Sequence, residues 1–176
     1  EKYPPENIFV TGPPQFDQYF EKDVLVDRSE YFSKLGLDPN RPTIFFATMG
    51  DFGFKIDESY WLNFLIDQIN SGHIKGSPQI ICRLHPWSRL ELFEQYATIP
   101  WVKISYIKTH FPTIGWHMNK NDVKEMANMI AHSDLVISPG STVLLESAIF
   151  NRPTLFPIFH DLQPERSSQY FKRWVL

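Results

Sequence analysis

The chain has 176 residues, of which 43% are hydrophobic and 15% aromatic, and this is the composition of one globular domain with a substantial core. Lys and Arg number 17 against 20 Asp and Glu, so the sequence lacks the basic excess that is typical of nucleic-acid-binding proteins. The single cysteine, Cys82, excludes an intrachain disulfide framework and favours a reducing compartment such as the cytoplasm.

The first part of the chain predicts a strand, an amphipathic segment and a helix. Residues 7–10 have the composition of a short strand, and residues 16–20 form a short amphipathic segment. Asp27 and Glu30 stand at capping-box spacing, which predicts a helix that ends at Gly36.

The next part predicts two buried strands separated by a helix. The apolar run 43–48 (TIFFAT) predicts the first strand, and a glycine-bearing loop at 49–53 follows it. Asp57 is placed to cap a helix that ends near Gly72. Residues 79–84 (QIICRL) predict the second strand.

A third strand is predicted at residues 101–107, between a helix and a long connection. Ser88 and Glu91 stand at capping-box spacing, which predicts a helix that runs to about Ala97. The segment 109–121 is irregular and aromatic, and long connections of this kind often carry function.

The last part predicts two more strands and two more helices. Asp122 and Glu125 have capping-box spacing at the start of an amphipathic helix. Residues 134–138 (DLVIS) predict the fourth strand and residues 154–156 (TLF) the fifth, and a terminal helix is predicted at 163–176.

Strands that alternate with helices at this spacing predict right-handed βαβ units and a parallel sheet. We therefore predict one α/β domain over residues 1–176, Rossmann-like, with a parallel sheet between two layers of helices. If the five strands take the order 3-2-1-4-5, the first and fourth lie side by side, and ligands bind beyond their carboxyl ends. This order brings together the loop 48–53 and the turn 138–142.

The turn between the fourth strand and the following helix has the composition of a phosphate-binding turn. Gly140, Ser141 and Thr142 offer backbone N–H groups and two hydroxyls at the positive end of a helix dipole. The alternative is that Ser141 or Thr142 serves only as an N-cap.

Arg83 and His85 alternate at the end of the second strand, so an extended backbone would direct them to the same side. A guanidinium and an imidazole suit a diphosphate, with Arg83 as a permanent positive clamp and His85 as a hydrogen-bond donor or an acid to the leaving phosphate. The alternatives are a surface ion pair for Arg83 and a structural role for His85.

Two acidic residues have open roles. Glu146 lies one helical turn beyond the proposed phosphate site, where it would accept hydrogen bonds from ribose hydroxyls or instead pair with Arg152. Asp51, in the glycine-bearing loop, would bind substrate, act as a base or merely shape the turn. The histidines show no metal-ligand spacing, and the dinucleotide and P-loop glycine motifs are missing from the sequence.

The pattern of these segments resembles a known family. The run 133–157 (SDLVISPGSTVLLESAIFNRPTLFP), together with VTGPPQFD, GLDPNRPTIFFAT and RLHP, resembles the carboxy-terminal, donor-binding half of GT-B glycosyltransferases. Within them it is most similar to the branch of CDP-glycerol glycerophosphotransferases and related surface-polysaccharide transferases. UDP-N-acetylglucosamine 2-epimerases share the architecture.

The resemblance implies that the glycine loop, the HP histidine, the Ser/Thr turn and the following glutamate contact a donor nucleotide. With the arguments above, the predicted site comprises His85 as the catalytic residue and, for nucleotide and phosphate, Thr48, Gly50, Arg83, Gly140, Ser141, Thr142 and Glu146. The implied ligand is a CDP- or UDP-linked sugar or polyol, with no cofactor and no metal.

The resemblance also implies a second domain. Because the chain begins at Glu1 rather than Met, we expect a fragment of a cytoplasmic transferase whose amino-terminal domain binds the acceptor and associates peripherally with the inner face of the membrane. The rival expectations are a non-catalytic nucleotide or sugar-phosphate sensor and an enzyme like the 2-epimerases.

Overall fold

Alternating apolar strands and amphipathic helices build a parallel sheet covered on both sides. The computed structural model describes residues 3–50, 57–107, 110–111, 115–116 and 118–157. Its helices and strands, in chain order, are α1 Arg28–Leu35, β1 Thr43–Ala47, α2 Ser59–Asn70, β2 Gln79–Arg83, β3 Val102–Ser105, β4 His110–Phe111, β5 Gly115–Trp116, α3 Lys120–Ala131, β6 Leu135–Ile137, α4 Val143–Ile149 and β7 Thr154–Leu155.

Five strands form the main sheet in the order β3-β2-β1-β6-β7, and every neighbouring pair is parallel. This confirms the predicted order 3-2-1-4-5, since β6 and β7 are the fourth and fifth predicted strands. β1 and β2 are buried along their whole length. Burial on both faces explains why their sequences are continuous apolar runs rather than alternating ones.

Side chains alternate between two helical layers. Phe45, Ile81 and Val136 pack against α1, α3, α4 and the 3₁₀ helix Pro14–Phe20. The intervening residues Ile44, Phe46, Ile80 and Cys82 pack against α2 and the 3₁₀ helices Leu90–Leu92 and Glu94–Thr98. The domain is therefore a three-layer α/β fold of the Rossmann type, as predicted.

The ends of α1 follow the sequence signals. Asp27 accepts hydrogen bonds from the N–H groups of Ser29 and Glu30 at the start of α1, and Gly36 takes the left-handed conformation, φ 73°, at its end. At α2 the residue at the N-cap is Glu58 rather than the predicted Asp57, although the Asp57 carboxylate accepts from the N–H of Ser59 at 3.0 Å.

The capping boxes predicted at Ser88 and at Asp122 do not form, and the one predicted at Asp27 is present only as the bonds that the Asp27 side chain accepts. The helix predicted from Ser88 is replaced by two short 3₁₀ helices, because the Ser88 hydroxyl bonds to Thr48 and Glu58 instead of a helix end. The next helix, α3, begins one turn before the predicted start, because Asn119 and Asp122 make the capping box there. Glu125 instead accepts hydrogen bonds from Tyr31 and Lys34.

The prediction of a strand at residues 7–10 is wrong. Pro5–Asn7 is a single 3₁₀ turn, and the apolar side chains of Ile8, Phe9 and Val10 are exposed. Prolines on both sides of this segment remove backbone N–H groups that a sheet would need.

In the connection 109–121, predicted as irregular, β4 and β5 form a two-residue antiparallel pair. Three predicted features lie outside the described residues: the terminal helix at 163–176, Asp51 and most of the loop 49–53.

Within the part of the chain that the structure describes, no helix has the length and apolar character that crossing a bilayer requires.

One buried amide attaches the N-terminal segment to the domain. Asn128 of α3, 1% exposed, accepts a hydrogen bond from the N–H of Val26 at 2.9 Å and donates to the carbonyls of Val24 and Lys124 at 2.9 and 2.7 Å. These bonds hold the segment that follows the 3₁₀ helix Pro14–Phe20, and so they set the position of Tyr19 at the carboxyl end of the sheet.

We predict that Asn128→Ala lowers the free energy of unfolding by about 2–4 kcal/mol, because two backbone groups of residues 24–26 lose their buried partners. Urea denaturation measures the change. The matched control is Asn121→Ala on the same helix, at an exposed position. Equal effects of the two substitutions would show that Asn128 does not anchor the segment.

Candidate functional site

The candidate site lies where the strand order reverses. β1 and β6 are hydrogen-bonded neighbours, with Phe46 opposite Ile137 in the last registered pair. The segment 48–50 and the turn 138–142 leave these two strands from the same edge of the sheet. Open parallel sheets bind ligands at this edge because the loops that follow the two strands diverge there.

A buried carboxylate organises the end of β1. Glu58 is 3% exposed, accepts hydrogen bonds from the N–H groups of Met49 and Gly50, the latter at 3.0 Å, and accepts from the Ser88 hydroxyl at 3.1 Å. The Thr48 hydroxyl lies 2.8 Å from Ser88 Oγ and accepts from the N–H of His85 at 2.7 Å. Thr48 and the Gly50 N–H thus shape the loop, since their polar groups already bond within the protein.

Sequence reasoning did not identify Glu58. The signal that could have identified it is its position. Glu58 is an acidic residue just before the helix that follows a glycine-bearing loop, and from there its carboxylate can reach back to the N–H groups of the loop.

Gly50 and His85 touch across the edge of the sheet. Gly50 has φ 86°, and a Cβ added there would lie 2.4 Å from His85 Nδ1. His85 Nδ1 accepts a hydrogen bond from the Trp87 N–H at 3.2 Å, and the Trp87 ring packs edge-on at 5.7 Å between centroids. Partial burial lowers the pKa of His85, so the imidazole is neutral near pH 7 and carries its proton on Nε2.

Arg83 is a buried cation at the end of β2. It is 5% exposed; Nη1 donates to the Ser105 hydroxyl at 2.8 Å, while Nη2 has no hydrogen-bond partner among the described residues. Burial lowers the pKa of its guanidinium. The surface ion pair considered for Arg83 is therefore not what the structure shows.

The turn after β6 combines buried and accessible groups. Ser138 is fully buried, and Gly140 has φ 134°, a conformation that disfavours a side chain. The Ser141 hydroxyl accepts from the Val143 N–H at a long 3.4 Å, so the N-cap alternative is met only weakly. The exposed Thr142 instead donates its hydroxyl to Glu146 at 3.2 Å.

Glu146 is held by the N-terminal segment. It is 8% exposed and accepts a short hydrogen bond from the Tyr19 hydroxyl, while the pairing with Arg152 does not form among the described residues. Burial raises the pKa of Glu146, and the hydrogen bonds from Tyr19 and Thr142 oppose that rise. Tyr19 packs edge-on against Phe150 at 5.6 Å. Because Tyr19 and Glu146 are 127 residues apart, no local pattern in the sequence connects them.

The structure thus brings the predicted residues to one edge of the sheet in two groups. Thr48, Gly50 and His85 meet beside Glu58, and Thr142 meets Glu146 beside Tyr19. Among the described residues, no group of three or more His, Cys, Asp or Glu side chains is placed to hold a metal ion.

Comparison with known proteins assigns no family. Neither a family model nor a curated protein matches the chain. One solved structure that matches is the UDP-GlcNAc 2-epimerase from Neisseria meningitidis bound to UDP-GlcNAc, at 11% identity and a TM-score of 0.48. The match covers 80% of this chain and 34% of that chain, so this chain spans about a third of the neighbour's length. At this level of similarity the match does not identify the activity of this chain.

We predict that Gly50→Ala raises the pKa of His85 towards its ordinary value, because the new methyl pushes the imidazole out of its half-buried position. NMR titration of the His85 ring measures this. Gly72→Ala is the matched control, since Gly72 has φ 73° but no atom within 4 Å of an added Cβ. Backbone strain lowers the free energy of unfolding of both variants by about 1–2 kcal/mol. Only Gly50→Ala changes the titration of His85. An unchanged His85 pKa in Gly50→Ala would contradict the contact.

We predict that Tyr19→Phe raises the pKa of Glu146 further, because the carboxylate loses a hydrogen bond that stabilises its charge. Because the pKa of Glu146 in the folded variant then lies further above its unfolded value, ionisation of Glu146 lowers the free energy of unfolding more than in the wild type. The variant is therefore destabilised most at pH values above the folded-state pKa of Glu146, and less in acid, where the carboxyl is protonated. Carboxyl NMR titration and denaturation at several pH values measure both effects.

The control is Tyr31→Phe, which removes a buried hydroxyl from Glu125 and leaves Glu146 unchanged. Identical Glu146 titrations in all three proteins would exclude the Tyr19 contact in solution.

Proposed function

We propose that the crevice between the segment 48–50 and the turn 138–142 binds a nucleotide-activated sugar or polyol, CDP- or UDP-linked. The observation that carries the proposal is the pairing of β1 with β6, because it places both glycine-bearing segments at the switch point of a parallel sheet. The chain is then the donor-binding half of a GT-B transferase, and the acceptor site belongs to another domain.

The turn 138–142 supplies groups for the diphosphate. Among the described residues the N–H groups of Ser141 and Thr142 form no hydrogen bond, and Gly140 lets a ligand approach the backbone closely. Glu146 stands one turn further on with both carboxylate oxygens oriented by Tyr19 and Thr142. A carboxylate held in this way suits a pair of ribose hydroxyls.

His85 acts in this proposal as a neutral hydrogen-bond donor to the leaving phosphate. Its Nδ1 accepts the Trp87 N–H, so Nε2 carries the proton, and its lowered pKa disfavours the imidazolium near pH 7. Charge that develops on the leaving diphosphate is stabilised by preorganised donors of this type. The role differs from that of a charged acid because the ring stays neutral before transfer.

We predict that the 176-residue chain binds UDP or CDP weakly and more tightly than ADP. Calorimetry measures the affinities, and NMR shifts should map to residues 48–50, His85 and residues 138–142. His85→Ala should weaken nucleotide binding about tenfold, since it removes a hydrogen bond to a charged group. The control His73→Ala, at an exposed histidine, should leave nucleotide binding unchanged.

Two results would refute the proposal. One is the failure of all three nucleotides to bind. The other is binding whose shifts lie away from the carboxyl edge of the sheet and that His85→Ala does not weaken.

A further inference from the structure

One atom of Glu58 bonds to both segments that contact the imidazole of His85. The first is the backbone at Gly50, which lies so close to the ring that an added methyl group would overlap Nδ1. The second is the turn 85–88, which the Ser88 N–H closes with a hydrogen bond of 2.8 Å to the His85 carbonyl. Glu58 Oε2 accepts from the Gly50 N–H at 3.0 Å and from the Ser88 hydroxyl at 3.1 Å. The placement of both segments therefore depends on a single carboxylate oxygen.

The turn 85–88 decides which ring nitrogen of His85 carries the proton. The Trp87 N–H donates to His85 Nδ1 at 3.2 Å. In the neutral imidazole a nitrogen that accepts a hydrogen bond carries no proton, so the proton is on Nε2. If the turn opens, the bond from Trp87 is lost, and the proton is then free to occupy Nδ1. The tautomer of His85 thus reports the shape of this turn.

A directed row of hydrogen bonds joins the His85 backbone to Glu58. The His85 N–H donates to Thr48 Oγ1 at 2.7 Å, and Thr48 Oγ1 lies 2.8 Å from Ser88 Oγ. Because the Ser88 hydroxyl gives its single proton to Glu58, the Thr48 hydroxyl is the donor in the contact between the two hydroxyls. Each donor in the row points towards the carboxylate, so a change at Glu58 reaches the His85 N–H.

Burial strengthens this network. Glu58 and Thr48 are each 3% exposed, and Glu58 also accepts from the Met49 N–H. Hydrogen bonds are electrostatically stronger in a buried, weakly polar surrounding than in water, and bonds in a row polarise one another. The network is therefore stiff enough to fix a side chain that packs against it, as His85 does at Gly50.

We propose that Glu58 is a positioning residue for His85, and that it keeps the proton of the neutral imidazole on Nε2 by holding Gly50 and the turn 85–88 together. This goes beyond shaping the loop, since it makes the position of a proton on another side chain depend on Glu58. The consequence for ligand binding rests on the proposed function, in which Nε2 donates to the leaving phosphate. Without the carboxylate, part of the protein carries the proton on Nδ1, and that part lacks the donor.

The first test measures the tautomer of His85 in the 176-residue chain, by nitrogen NMR of the imidazole in mildly alkaline buffer, where the ring is neutral. Glu58→Gln keeps the shape of the side chain but leaves one oxygen, so an amide N–H must face the N–H of either Met49 or Gly50. We expect the ratio of the Nε2–H form to the Nδ1–H form to fall about fivefold, the equivalent of one lost hydrogen bond. Ser88→Ala cuts the link between Glu58 and the turn and should change the ratio in the same direction.

Two matched controls separate positioning from stability. Glu125→Gln weakens hydrogen bonds to α1, in the helical layer opposite to α2. Ser133→Ala removes a buried hydroxyl that donates to the Met129 carbonyl. Both controls should lower the melting temperature, as the two test variants do, but leave the tautomer ratio of His85 unchanged.

The second test measures UDP affinity by calorimetry in a double-mutant cycle. Glu58→Gln should weaken UDP binding about threefold in the chain that has His85, within the roughly tenfold expected for His85→Ala. In the His85→Ala background the same substitution should have no further effect, since Glu58 acts through His85. An equal loss in both backgrounds would show that Glu58 supports the loop alone and would overturn the positioning role.

The two tests separate this inference from the nucleotide proposal. If Glu58→Gln and Ser88→Ala both keep the wild-type tautomer ratio, the inference is wrong, whether or not UDP binds. If the ratio changes as expected but the wild-type chain does not bind UDP, Glu58 positions His85 and the proposed function fails. Should Glu58→Gln not fold, Ser88→Ala decides in both tests.

Discussion

The pairing of β1 with β6 is the constraint on which the rest of the site depends. The chain leaves β1 through α2 to one side of the sheet and reaches β6 through α3 on the other. Because the two connections go to opposite faces, the residues after β1 and β6 diverge and leave a crevice at the carboxyl edge. The candidate residues lie on or beside this edge, although two of the residues that meet there, Tyr19 and Glu146, are 127 positions apart in the chain.

Two buried charged groups at this edge are stabilised very differently. Glu58 is surrounded by donors, since two backbone N–H groups and the Ser88 hydroxyl bond to its carboxylate. Within the residues that the structure describes, Arg83 has one hydroxyl partner and its Nη2 has none. A buried charge with its hydrogen bonds complete stiffens the surrounding structure, whereas one left incomplete is costly. Glu58 therefore belongs to the framework of the site, whereas ligand binding by Arg83 stays a prediction.

The sequence predicted those features that depend on local pattern or on general rules of topology. Apolar runs located the five core strands, and the preference for right-handed crossovers placed Gly50, His85 and the turn 138–142 at one edge. The contact of Tyr19 was not predictable in this way, whereas Glu58 had a local signal, its place just before the helix that follows the glycine-bearing loop. Tyr19 reaches Glu146 because the N-terminal segment is held on the domain, in part by Asn128 and His132, and nothing in the sequence near Tyr19 indicates this.

Local signals also failed where two of them competed. Residues 119–125 contain two overlapping capping-box patterns, and α3 uses the earlier one, at Asn119 and Asp122. Glu125 is then available to Tyr31 and Lys34 of α1, an interaction between elements that the helix signal does not contain. Ser88 shows the same limit, because its hydroxyl bonds to Thr48 and Glu58 rather than capping a helix.

The central claim is that a nucleoside diphosphate occupies the crevice at the β1–β6 switch point. A crystal structure of the chain grown with UDP tests it most directly. The account predicts the diphosphate between Gly50 and Ser141, with His85 within hydrogen-bonding distance of one phosphate and Glu146 beside the ribose. UDP bound elsewhere on the chain, with both Gly50 and Ser141 remote from any phosphate oxygen, would contradict it.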